Sequence, residues 1–122
     1  MDLVGTWINQ RGSRLEINED RGVMIAGRFT STKGRTARGH WYPVYGIRNG
    51  NLVSFAVSFE DADHNLHAMT TFSGRVVPGE RPQIHTLWIL AREFEDAEQR
   101  KSTQVWNTFL TNTDVFTLER SE

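Results

Sequence analysis

Five polar side chains stand where an alternating strand pattern turns them to the same side as large apolar ones: Asn9, Ser13, Ser31, Thr70 and Asp114, in company with Trp7, Phe59, Phe72 and Trp88. Hydroxyls, an amide and one carboxylate in an apolar setting suit hydrogen-bond recognition of a small polar head group. Local sequence alone brings two of them together. In Gly5-Thr6-Trp7-Ile8-Asn9-Gln10-Arg11-Gly12-Ser13, alternation puts Gly5, Trp7 and Asn9 on one face, and Gly12 relaxes a turn that begins the next strand with Ser13 beside Asn9. Buried polar atoms need partners, and an inward carboxylate left unpaired costs roughly 3–5 kcal/mol. A ligand is one partner for Asp114; an arginine or backbone N–H groups are the alternatives. Asn9 and Ser13 likewise have the alternative of stabilising their own turn.

These residues do not form catalytic machinery. His40, His64, His67 and His85 are spread over different strands and loops, with no helical His-x-x-x-His and no cysteine, so a metal site is not expected. Ser13, Ser31 and Asp114 lack an inward histidine to act as base for a nucleophile. Asp61, Asp63 and His64 cluster in a segment that a turn explains. The expectation is a binding protein, not an enzyme.

Short strands must position such a set. Segments 4–9, 13–18, 22–31, 40–48, 51–59, 66–77, 83–92 and 105–119 alternate apolar and polar residues or carry β-branched and aromatic types. Turn chemistry separates them, as at Arg11-Gly12, Asn49-Gly50 and Pro78-Gly79-Glu80-Arg81-Pro82. Only Glu93 to Thr103 differs, a charged segment suited to a loop or one helical turn. Sequential antiparallel strands with short links predict an all-β fold, an eight-stranded antiparallel up-and-down β-barrel, because closure removes both exposed edges. Its interior face collects Trp7, Asn9, Ser13, Leu15, Ile17, Val23, Ile25, Gly27, Phe29, Ser31, Val53, Phe55, Val57, Phe59, Ala68, Thr70, Phe72, Ile84, Thr86, Trp88, Leu90, Trp106, Leu110, Asp114 and Phe116. A barrel of this size is just wide enough for one small ligand.

Bulk properties agree with a small barrel. At 122 residues the chain is expected to form one domain over 1–122. A net charge of −1 gives no electrostatic case for nucleic acid or an acidic membrane. No run approaches the roughly 18 apolar residues of a membrane helix. Strand-like sequence from Leu3 leaves no room for a signal peptide, which predicts a cytoplasmic protein, or a secreted or periplasmic one whose leader has been removed. Twelve of the 14 basic residues are arginines, scattered as on solvated strand faces.

From Gly5 to Phe116 the chain resembles the avidin and streptavidin family. The pieces that carry the likeness are the segment from Gly5 to Ser13, Gly27-Arg28-Phe29-Thr30-Ser31, Ala68-Met69-Thr70-Thr71-Phe72-Ser73-Gly74, Thr86-Leu87-Trp88-Ile89-Leu90, and Trp106 through Asp114-Val115-Phe116. Each is weak alone, but five in order at family-like spacing are specific. The resemblance implies a streptavidin-like barrel that binds biotin tightly without catalysis, usually as a homotetramer. It implies that Asn9 and Ser13 donate to the ureido oxygen, that Asp114 and Ser31 accept from the two ureido N–H groups, and that Thr70 meets the thioether sulfur. Phe59, Phe72, Trp88 and Leu90 then wall the rings and the aliphatic chain.

Departures from the family pattern point to weaker binding. Phe29 stands where a tyrosine usually gives the ureido oxygen a third donor, and losing one neutral hydrogen bond costs about 0.5–1.5 kcal/mol. Ala68 replaces a serine that touches the valerate carboxylate, and Phe59 replaces a tryptophan. Lys33 and Arg35, in the loop after Ser31, could attract that carboxylate instead, or remain solvated like most loop cations.

In the family the last wall is a tryptophan from a neighbouring subunit, and two registers compete for it. Arg100-Lys101-Ser102-Thr103 resembles the Lys-Ser-Thr after that tryptophan in streptavidin, which would put Arg100 in its place and imply a dimer. The spacing Trp106, Leu110, Asp114, Phe116 follows the family pattern without a gap, so Trp106 is the preferred counterpart and a tetramer the preferred assembly. Leu87, Ile89, Val105, Phe109 and Val115 point outward on the last two strands, which itself suggests a subunit interface. The rival reading is a lipocalin-like carrier of another small apolar ligand, since lipocalins also begin with Gly-x-Trp in an eight-stranded barrel; they are longer and end in a helix.

Overall fold

The turn signals divide the chain as expected. A computed structural model, which describes residues 1–31 and 39–119, contains β1 (Gly5–Asn9), β2 (Arg14–Asp20), β3 (Met24–Thr30), β4 (Tyr42–Asn49), β5 (Leu52–Glu60), β6 (Asn65–Val77), β7 (Gln83–Arg92) and β8 (Phe109–Leu118). Each strand pairs antiparallel with the next, and β1 pairs with β8, giving a closed barrel. Trp7 and Asn9 lie opposite Leu118 and Phe116 at that seam, so the two ends of the chain meet beside the first hairpin.

Closure needs sharp bending, and two devices supply it. The register of β2 against β3 shifts between Ile17 and Glu19, and that of β5 against β6 between Ser58 and Glu60. Such bulges raise local twist. Gly27 sits opposite Ile17, where a Cβ would come within 1.9 Å of the Glu16 carbonyl oxygen. Only glycine permits this close approach, so the strands pack backbone to backbone there.

Alternation fills the interior. Trp7, Leu15, Ile17, Ile25, Phe29, Val53, Phe55, Val57, Phe72, Ile84 and Phe116 are buried as their period of two requires. Each large apolar side chain removed from water contributes about 1.5–3 kcal/mol. Leu3, Tyr42, Val44 and Val76 are also core, the middle two because β4 obeys the same alternation. Phe55 stacks on Phe72 at 4.7 Å between centroids, and Phe116 meets both rings edge-on.

Three inward assignments do not hold. Val23 is exposed, because the chain is still turning after Gly22 and the strand starts at Met24. Leu110 and Trp106 are exposed as well. Their segment is not one strand from 105 to 119: Val105–Asn107 form a single 3-10 turn, closed by Gln104 N donating to Asn107 Oδ1 at 2.6 Å, and β8 begins at Phe109. Because β1 ends at Asn9 and covers only Phe116 to Leu118, the first half of β8 runs past the rim with β7 as its one strand neighbour among the described residues, and Phe109 to Thr113 are exposed. The Glu93–Thr103 segment forms a loop with an isolated bridge between Phe94 and Ser102.

The far end of the barrel is sealed by a buried ion pair. Arg48 Nη1 donates to Asp20 Oδ2 at 2.6 Å and to the Met1 carbonyl at 3.0 Å, and Leu3 N donates to the same carboxylate at 2.9 Å. Burial pushes the Asp20 carboxyl up, but the N–H groups of Gly22 and Leu3 and the Arg48 guanidinium outweigh it and hold its pKa below the ordinary aspartate value. The opposite end carries the turn between β1 and β2.

Candidate functional site

The first hairpin builds the polar corner. Gly12 adopts φ 85°, its N–H reaches the Asn9 carbonyl at 3.1 Å, and Asn9 N donates to the Ser13 carbonyl at 3.0 Å. The tight turn folds the Asn9 side chain back onto its own loop: Oδ1 accepts from Arg11 N at 3.0 Å and Ser13 N at 2.9 Å. Asn9 Nδ2 is thereby aimed across the barrel seam and donates to Asp114 Oδ2 at 3.0 Å. The turn-stabilising role and the inward role of Asn9 are therefore the same conformation.

Asp114 is buried at 4% exposure, yet it is not a lone charge. Gln10 Nε2 donates to Oδ1 at 3.2 Å and the Arg11 guanidinium pairs with the same oxygen. Gln10 also accepts from Val115 N at 2.9 Å and donates to the Thr113 carbonyl, so its side chain continues the β1–β8 pairing past the end of β1. Thr86 Oγ1 donates to the Asp114 carbonyl at 2.9 Å, fixing the backbone from β7. Of the partners open to Asp114 in the sequence, an arginine is the one the fold supplies.

Beside this corner lies a cavity of about 290 Å³. Asn9, Ser13, Ser31 and Asp114 line its polar end, and Phe29, Phe59 and Phe72 form one wall. Ala68, Thr70, Trp88 and Leu90 come from β6 and β7. Phe29 meets Phe59 edge-on with centroids 6.3 Å apart and lies tilted to Phe72 at 6.2 Å, so the wall is a packed aromatic cluster. The cavity thus has apolar sides, with hydroxyls, an amide and a carboxylate gathered at one corner.

Eleven of the side chains singled out in the sequence thus converge on one cavity. Trp106 does not; it is 83% exposed, outside its own barrel. Lys33 and Arg35 lie outside the described residues. Two lining residues were missed. Leu66 is legible by alternation, two before Ala68, whereas Arg11 has no local signal beyond its place in the turn.

Comparison with known sequences decides the family: residues 1–119 match the Avidin family. The chain belongs to this family. Afifavidin from Afifella pfennigii is 30% identical over 88 residues, covering 70% of this chain and 55% of that protein. The chain thus matches about half the length of this avidin relative. Among solved structures, short afifavidin in complex with biotin is 26% identical with a TM-score of 0.78, covering 94% of this chain and 87% of the other. A shwanavidin variant in complex with biotin is 25% identical with a TM-score of 0.80, covering 98% and 99%. Avidin-family membership and the closed eight-stranded barrel agree.

Proposed function

We propose that this protein binds biotin, without catalysis, with the ureido ring at the Asn9–Ser13–Asp114 corner and the rest of the ligand along the aromatic wall. The observation that carries the reading is the corner itself: an amide N–H and a carboxylate held 3.0 Å apart by a tight turn, at the mouth of an apolar cavity. Biotin-bound relatives of the same fold support the ligand's identity.

A cyclic urea needs donors for its oxygen and acceptors for its N–H groups. Asn9 and Ser13 serve the oxygen, while Asp114 and Ser31 serve the N–H groups; Thr70 stands by the sulfur. Hydrogen bonds to a carboxylate are roughly twice as strong as neutral ones, so Asp114 contributes most per contact. Phe29 supplies no donor, Ala68 none for the valerate carboxylate, and Phe59 less wall than a tryptophan. Affinity is correspondingly lower than in family members that carry those groups.

Assembly completes the pocket. The outward row Met69, Ala91, Phe109 runs across β6, β7 and β8, with Ile89 and Leu87 on the next rows and Trp106 just beyond. Such a surface fits burial against further copies of the chain, with Trp106 covering a neighbour's cavity in a homotetramer. A dimer is the alternative.

Calorimetric titration with biotin, beside thermal unfolding with and without excess ligand, tests the function. Saturable heat and a raised unfolding temperature are expected. Silence in both, with displacement of a fluorescent fatty acid instead, would replace biotin binding by a lipocalin-like carrier function.

A further inference from the structure

Arg11 touches both halves of the cavity. Its guanidinium pairs with Asp114 Oδ1 and its Cζ lies 6.0 Å from the centre of the Trp88 ring. We propose that Arg11 is an internal competitor of the ligand: it takes up acceptor capacity and charge of the carboxylate that the N–H edge of a cyclic urea requires, and the strength of that hold sets the affinity. This rests on the cyclic-urea reading of the same corner.

Geometry and chemistry carry it together. An ionised carboxylate offers about four acceptor positions. Gln10 and Arg11 share Oδ1, and Asn9 takes one position on Oδ2, so three are engaged before a ligand arrives. A guanidinium and a cyclic urea present the same donor, a planar N–H on a trigonal nitrogen, and the charged one makes the stronger bond to a carboxylate. Sharing Asp114 with Arg11 therefore weakens what the neutral ligand gains. The arginine is also partly solvated: its side chain is 36% exposed, and its backbone N–H is tied to Asn9 Oδ1, so the hold on the turn is separate from the guanidinium's pairing with the carboxylate.

A merely structural Arg11 predicts the opposite sign. If it only held Asp114 in place, its removal would lower stability and affinity together. As a competitor, its removal lowers the stability of the empty barrel, because a buried carboxylate loses its cation, and raises affinity.

The test titrates biotin methyl ester, whose tail carries no charge, into the wild type, Arg11→Leu and Arg11→Lys by calorimetry, with thermal unfolding of the free proteins. Arg11→Leu is expected to bind about 10- to 100-fold tighter, the worth of one hydrogen bond to a charged group. Between about 0.01 and about 1 M salt, where the screening length falls about tenfold, affinity should rise for the wild type and Arg11→Lys and stay level for Arg11→Leu. Equal or weaker binding by Arg11→Leu, or a wild-type affinity indifferent to salt, overturns the role of Arg11 alone. Absence of binding by all three folded proteins overturns the cyclic-urea reading beneath it.

Discussion

Asn9 and Asp114 are 105 positions apart in the sequence and 3.0 Å apart in the barrel, amide nitrogen to carboxylate oxygen. The contact crosses the seam between the first and last strands, so the polar corner exists only in a closed barrel. Fold closure and ligand recognition thereby share one set of atoms.

The carboxylate's charge can be removed without its shape. Asp114→Asn is expected to weaken biotin binding about 10- to 100-fold, since a charge-assisted bond becomes a neutral one. Calorimetric titration measures it; unchanged affinity would mean that Asp114 faces no ligand N–H.

Phe29 is buried against Phe59 and Phe72 and lines the cavity. Phe29→Tyr adds one hydroxyl there, and a third donor to the ureido oxygen is worth about 0.5–1.5 kcal/mol, or roughly two- to twelvefold in affinity. Competition against labelled biotin reads the gain.

Trp106 is 83% exposed on its own barrel, so replacing it costs the isolated subunit little. Trp106→Lys is expected to weaken biotin binding and to lower the molar mass seen by light scattering. A mass and an affinity both equal to wild type would remove the neighbour-capping role.

Acid should weaken the sealed end. The Asp20 pKa is lowered in the folded protein, so between the ordinary value of about 3.9 and the lowered one the unfolded chain binds more protons. Its contribution to stability is complete above about pH 5 and is lost as pH falls through the folded pKa. Melting temperature followed from about pH 7 to about pH 3 should be level and then drop. Asp20→Asn should start about 3–5 kcal/mol less stable, because it breaks a buried pair, and show a shallower drop.

Much of this was written locally. Strand alternation is a steric property of neighbouring residues, so Trp7, Asn9, Phe29, Thr70, Phe72, Trp88 and Asp114 could be assigned to one face without knowing what lay opposite. Turn residues such as Gly12 and Asn49-Gly50 marked the strand ends for the same reason. Leu66 and Tyr42 obeyed the rule and needed only its fuller application.

Tertiary structure decided what depends on register and strand length. Twelve arginines look alike in the sequence; which one meets Asp114 follows from the turn that aims Arg11 over the barrel seam. Leu110 keeps the parity of Asp114 but is open to solvent, because β1 stops at Asn9 and never reaches it. Periodicity tells a side chain which way to point, and only the closed barrel determines whether anything stands there to cover it.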